Sequence, residues 1–153
     1  MPDPQLRVLI VDDSPVALAV LEAVFKAAHY DVVTAGDGQE GFDLALRTPP
    51  DLILTDGVMP GVDGFGLLRL LKANPATELI PVVMLTSGDF AASQAGPSQP
   101  QPQACVAKVT PMEELQETVR AVLAASRLGR QLSRCTKIEQ TMNITELECN
   151  LLT

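Results

Sequence analysis

Aromatic side chains are scarce: tryptophan is absent, tyrosine occurs once, and the aromatic fraction is 3%. Leucine, valine, isoleucine and alanine must therefore supply the packing, as they do in α/β cores. Cysteine is scarce as well. Cys105, Cys135 and Cys149 are odd in number and show no CxxC spacing, which argues against a disulfide framework or a zinc site and fits a reducing compartment. Positive charge is in deficit, with 11 lysines and arginines against 19 aspartates and glutamates, a formal net charge of -8. Binding to a phosphate backbone needs a basic face, so direct nucleic-acid binding is disfavoured and cations are the better guests. Long apolar runs are missing too. Nothing approaches the ~18 residues of a membrane span, and the opening MPDPQLRVLIVDD has neither a basic stretch nor a long apolar run. The expectation is a cytoplasmic protein with no membrane association.

What is present alternates in a regular way. The 153 residues, 46% of them hydrophobic, are enough for one domain with a tail but not comfortably for two. Leu6 to Val11 (LRVLIV) is a short apolar run, as expected for a parallel strand covered on both faces. Ser14 and Pro15 then provide an N-cap and a first-turn proline for a helix through Leu18, Leu21, Val24 and Phe25. The pattern repeats as strand Asp31 to Ala35, helix Gly38 to Arg47, strand Asp51 to Thr55, and a helix through Leu67 to Leu71 that stops near Asn74-Pro75. Ile80 to Leu85 and Cys105 to Val109 are predicted as the last two strands, and Thr110-Pro111 opens a helix carrying Leu115, Val119 and Leu123. Five strands alternating with helices predict a doubly wound, five-stranded parallel sheet of the α/β class.

In such sheets function collects beyond the carboxyl ends of the strands. Polar groups sit at nearly every such end: Asp12 and Asp13 after the first strand, Asp56 after the third, Thr86 and Ser87 after the fourth, and Lys108 within the fifth. Each alone has an ordinary structural reading as a helix-end charge, a turn, a cap or a rim charge. Together they are a chemical set. Three carboxylates at one mouth repel one another and raise at least one pKa unless a cation intervenes. Oxygen ligands from few carboxylates suit Mg²⁺ or Mn²⁺ better than zinc. A carboxylate beside the metal can attack a phosphoryl group to give an aspartyl phosphate, while a lysine and a hydroxyl hold the transferring oxygens.

The strings LIVDDSP, LTDGVMPGVDG and VVMLTSG, and the lysine of CVAKV, resemble in order and separation the receiver domain of two-component response regulators. The resemblance covers Leu6 to Leu128, giving a receiver over 1–128 and a tail over 129–153. It implies the flavodoxin-like strand order 2-1-3-4-5 and a phosphoacceptor at Asp56. It also implies Mg²⁺ held by Asp13, Asp56 and the Val58 carbonyl, with Asp12 acting mainly through water. Lys108 would contact the phosphoryl group and Thr86 would be the switch hydroxyl. The implied partners are a sensor histidine kinase or phosphotransfer protein as donor and a downstream protein that reads the state. Apart from its own phosphorylation and dephosphorylation, such a domain is not an enzyme.

Three features depart from the family. Cys105 stands where an aromatic residue usually precedes the lysine by three positions. Val109 replaces the usual proline, and a cis bond before a non-proline costs about 2.5–4 kcal/mol. The stretch AASQAGPSQPQPQA, residues 91–104, occupies the place of the fourth helix. Proline in a helix interior costs about 3 kcal/mol, and Pro97, Pro100 and Pro102 are too dense for any helical register. The expectation is that this helix is missing, or reduced to a turn near Phe90 to Ala95, and replaced by an extended Pro/Gln/Ser-rich loop. The flank so uncovered would invite a partner or a second copy of the chain.

In the tail, RLGRQLSR extends the last helix or forms a solvated face, and NITELECNLL reads as a short amphipathic helix capped by Asn143 or Thr145, with a weaker similarity to the first helix of winged-helix output domains. His29 is read as structural, Cys105 as a small core residue and Met59 as packing beneath its loop. Two functional classes follow: a Mg²⁺-dependent phosphorylation switch, or a pseudo-receiver acting as a constitutive interaction or dimerisation module. A metal-dependent phosphatase is disfavoured because the strand ends lack a DxD pair.

Overall fold

The computed structural model describes residues 5–87 and 100–129. Strand β1 (Arg7–Val11) leads to helix α1 (Pro15–Ala27), β2 (Asp31–Ala35), α2 (Gly38–Arg47), β3 (Leu52–Asp56), α3 (Gly64–Ala73), β4 (Val82–Thr86) and β5 (Ala104–Ala107). A closing helix, α4, occupies residues 112–129. The sheet is parallel throughout, in the order β2-β1-β3-β4-β5. The doubly wound α/β sheet expected from the alternation is the observed fold.

Every residue of β3 and β4 is buried, because these strands are covered on both faces. On one side Leu9, Ile53, Val82 and Met84 pack against Ala45 of α2 and Leu67, Leu68 and Leu71 of α3. On the other, Ile10, Leu54, Val83 and Val106 pack against Leu21 and Phe25 of α1 and Leu115, Val119 and Leu123 of α4. Phe25 and Leu71 are wholly buried, so aliphatic side chains with few rings do build the core. Met59 joins the first of these layers, as expected.

Local chemistry sets the helix ends. The Ser14 hydroxyl accepts from Ala17 N ahead of Pro15, and the Asp37 and Asp63 carboxylates accept from Glu40 N and Gly66 N to start α2 and α3. Helix α1 ends in a paired cap: His29 N donates to Lys26 O and Tyr30 N to Phe25 O, while the Tyr30 ring lies 5.6 Å from that of Phe25. This cap requires a left-handed residue, and His29 supplies it at φ 70°. The structural role expected of His29 is thus a backbone one. A β-carbon in this region is disfavoured, so His29→Gly is expected to raise unfolding free energy by about 0.5–1 kcal/mol in urea denaturation. An equal or lower stability would show that the His29 side chain supports the cap.

Two expectations need correction. The fifth strand ends at Ala107, so Lys108 lies just beyond it rather than within it. The chain turns there because Thr110 N donates to Ala107 O, although Lys108 N still bonds Thr86 O. Val109 is 92% exposed. Cys105 is not a core residue but exposed. It stands opposite Met84 in the ladder, on the side facing away from α1 and α4, and the layer built by α2 and α3 contains no β5 residue. What shielding it has pushes its thiol pKa up, the reverse of an activated thiolate.

Most of the 91–104 stretch lies outside the described residues, as does the tail beyond 129. Residues 100–103 are neither helix nor strand, and the described residues contain four helices.

Candidate functional site

The sheet order brings the carboxyl ends of β1 and β3 side by side, with Val11 opposite Thr55. Asp12 extends β1 by one bond, donating its N–H to Ala35 O, and Asp56 closes β3. Their side chains meet with that of Asp13: one carboxylate oxygen from each of the three lies within 4.8 Å of the other two. Asp12 and Asp56 are buried, whereas Asp13 is exposed.

Each buried carboxylate is held by the backbone. Asp12 Oδ1 accepts from Ser14 N at 2.9 Å, at the mouth of α1. Asp56 Oδ1 accepts from Val58 N at 3.2 Å, and Asp56 Oδ2 pairs with Lys108 Nζ at 2.8 Å. The Lys108 side chain is 42% exposed and that of Asp56 only 3%, so the ammonium reaches in from solvent to a fixed anion. Its hydrogen bond to Asp56, helped by the charges of Asp56, Asp12 and Asp13, holds the Lys108 pKa above the ordinary lysine value.

One ammonium does not balance three carboxylates. Burial, together with the charges of Asp56 and Asp13, pushes the Asp12 carboxyl pKa up, against the opposing effects of the Ser14 N–H and Lys108. Here the donor set tests itself for a metal. Mg²⁺ takes oxygen ligands at ~2.1 Å, so opposed ligands stand ~4.2 Å apart. One oxygen from each of the three carboxylates lies within 4.8 Å of the other two, an all-oxygen cluster compact enough for such an ion to be held by two carboxylates directly and by the third through water. The acidic residues at this mouth are the kind of set on which a receiver's Mg²⁺ site is built.

Of the residues singled out in the sequence, Asp12, Asp13, Asp56 and Lys108 converge directly. Val58 lies at the site through its main chain, while its side chain is exposed. Thr86, buried, closes β4, and its carbonyl accepts from Lys108 N. Two supporting residues were missed. Ser14 was read only as a cap, yet its N–H also fixes Asp12. Gly64 was not singled out, yet its role is close approach: a β-carbon there would overlap Asp56 O and lie 2.9 Å from Gly57 Cα.

A doubly wound sheet with an acidic triad and a lysine at its carboxyl edge defines a receiver-type domain. The sequence profile described as "Response regulator receiver domain" matches residues 8–120, and the chain belongs to that family. Among curated relatives, the PilH protein of Pseudomonas aeruginosa is 36% identical over 118 residues, 77% of this chain and 98% of PilH. The response regulator PleD of Caulobacter vibrioides is 47% identical over 83 residues, 54% of this chain but only 18% of PleD. The chain thus spans less than a fifth of PleD. Among solved structures, the receiver domain of the sensor histidine kinase PA1611 from Pseudomonas aeruginosa superposes with a TM-score of 0.71 at 26% identity, covering 79% of this chain and 99% of that one. It carries a magnesium ion coordinated in its active-site cleft. The matched region is a receiver domain rather than a conventional enzymatic one, and membership of that family implies a histidine kinase partner. No helix among the described residues is long and apolar enough to cross a membrane.

Proposed function

We propose that this chain is a phosphorylation-controlled receiver in which Asp56 accepts a phosphoryl group from a sensor histidine kinase or a phosphotransfer protein. One observation carries the reading. The Asp56 carboxylate is buried, oriented through both oxygens by Val58 N and Lys108 Nζ, and flanked by two further carboxylates. An anion fixed in this way is a nucleophile with little reorganisation left to do. An Asp56 oxygen forms the new bond to phosphorus as the bond from phosphorus to the donor's imidazole nitrogen breaks, the electron pair leaving with the imidazole.

Asp13, Asp56 and the Val58 carbonyl would hold Mg²⁺, with Asp12 acting mainly through water, and the ion would neutralise charge on the transferring oxygens. Lys108 exchanges its contact with Asp56 for one with the phosphoryl group, and Thr86 supplies the switch hydroxyl. The output is a change of protein contacts read by a downstream partner. Residues 1–128 form the receiver unit and 129–153 an appended tail.

Labelling with acetyl phosphate in Mg²⁺, read by intact mass, tests the acceptor; absence of a labile phosphate would overturn the reading. The metal gives an independent check. At 100 times its dissociation constant, Mg²⁺ is expected to add about 2.7 kcal/mol to unfolding free energy, and Asp13→Ala should remove most of that gain. Equal stabilisation of both proteins would reject Asp13 as a ligand.

The exposed Cys105, at the place of the family's aromatic residue, favours a second reading: a pseudo-receiver that binds its partner without phosphorylation. Beryllofluoride separates the two. A switch shifts NMR resonances from Thr86 outward, whereas an interaction module shifts only those at the metal.

A further inference from the structure

We propose that Gly38, the first residue of α2, is a positioning residue for the cation site: its lack of a side chain lets α2 bear on Val62 and so fixes the loop that carries Val58. The inference rests on the reading of that site as one for Mg²⁺ and gives it a support outside the acidic cluster.

The loop between β3 and α3 runs from Gly57 to Asp63. It is drawn closed at its neck, where Gly64 N donates to Gly57 O at 3.2 Å. Its far limb turns through Gly61, in the left-handed region at φ 75°, and returns through Val62, whose side chain packs partly buried against the layer built by α2 and α3. There the loop meets α2. A β-carbon on Gly38 would overlap Val62 O and lie 2.8 Å from Val62 Cγ1 and 3.0 Å from Val62 C. Even a C–H···O contact keeps carbon and oxygen ~3.3 Å apart, so an alanine methyl group has no room. The approach is backbone against backbone, and no rotamer change relieves it.

Of the two partners, α2 is the less able to yield. Asp37 Oδ1 accepts from Glu40 N at 2.8 Å and Glu40 Oε2 accepts from Gly36 N at 3.1 Å, a pair of bonds of the capping-box type that holds the first turn. Gly41 packs closely on β1, since a β-carbon there would lie 2.8 Å from Val11 Cγ2. Ala35 O, just ahead of the cap, accepts from Asp12 N. The start of α2 is thus tied to the end of β1 that bears Asp12 and Asp13, and it rests against the loop that bears Val58. It sets one half of the acidic site against the other.

A methyl group on Gly38 would therefore push Val62 outward. Gly64, two residues on, is held to Gly57, so the shift passes back along the loop to Val58, whose N–H orients Asp56 Oδ1. Mg²⁺ demands near-ideal octahedral geometry, and a loop displaced at this point weakens its site.

The test is a Mg²⁺ titration of the full chain, followed through the NMR amide resonances of Asp13 and Val58, with unfolding in urea measured beside it. Gly38→Ala is expected to raise the Mg²⁺ dissociation constant about tenfold, the lower end of what disturbing a ligand's support costs. Gly41→Ala is the comparison, because it also strains α2 but against the Val11 side chain and not against the loop. It should lose stability while its dissociation constant stays within about twofold of wild type, as for an independent site. Val62→Ala probes the same contact from the loop with α2 untouched, and a smaller rise in the same direction is expected. An unchanged dissociation constant in Gly38→Ala, or in Val62→Ala if Gly38→Ala does not fold, would overturn the positioning role and leave the cation site standing. Equal weakening by Gly38→Ala and Gly41→Ala would overturn it as well, since a general loosening of α2 would then be the cause. If the wild type binds no Mg²⁺, the reading of the site and the role of Gly38 fall together.

Discussion

Replacing Asp56 with asparagine is expected to cut labelling by acetyl phosphate by more than about a thousandfold, the scale seen when a nucleophile is removed from an otherwise intact site. Asparagine keeps the shape and can still accept from Val58 N, but it has no anionic oxygen to form the bond to phosphorus. The fold should survive. Lys108 loses its ion-pair partner but is 42% exposed at its side chain, so water can solvate the ammonium. Asp12 loses a repelling neighbour. Folding raises the Asp12 pKa, through burial first and then through Asp56 and Asp13. A carboxyl so shifted weakens the fold above its unfolded pKa and ceases to do so below it, where it is protonated in both states. Removing the Asp56 charge eases that penalty, so the metal-free variant should melt no lower than the wild type. Full labelling of the variant would place the acceptor elsewhere, and a collapsed fold would show that the Asp56 charge is structural.

The positions of Asp12, Asp13 and Asp56 were legible because strand ends are legible. Short apolar runs bounded by caps and prolines set where β1 and β3 stop, and parallel pairing then places their ends at one edge. Caps were read for the same reason: Ser14 before Pro15 and Asn74 before Pro75 are local events, needing no knowledge of the fold. The exposure of Cys105 was not legible. Its apolar neighbours in CVAKV suggest a buried strand, but burial of an edge strand depends on how far the opposing helices reach, which is a tertiary fact. The end of β5 before Lys108 depends likewise on the Thr110–Ala107 turn bond.

A cavity beside Asp12 illustrates the same limit from the other side. Ala17, Val20 and Met112 belong to ordinary amphipathic patterns, and nothing in their spacing tells a filled interface from one with a gap. A gap appears only when α1, the end of β5 and the start of α4 are set against one another, with Ala17, Ala107 and Lys108 in its lining.

Gly64→Ala is expected to cost about 3 kcal/mol in urea denaturation, at the upper end of what overpacking normally costs, because the obstruction is backbone rather than side chain. The added β-carbon would overlap Asp56 O and crowd Gly57 Cα, and no rotamer change can relieve a clash with a main chain that is itself bonded. Gly57 N donates to Leu85 O, and Gly64 N donates to Gly57 O, so the start of α3 is fastened to the end of β3. To admit the methyl group, α3 must withdraw and draw Gly57 and Val58 with it. Val58 N–H is the donor that orients Asp56 Oδ1, so the same variant is expected to bind Mg²⁺ more weakly, a loss that general destabilisation would not produce in the folded fraction. Gly36→Ala is the control. A β-carbon there meets only the Glu40 carboxylate, at 3.7 Å, and stability should stay within about 0.5 kcal/mol of wild type. If Gly64→Ala were as silent as the control, α3 would be free to shift against β3, and the orientation of Asp56 would have to come from Lys108 alone.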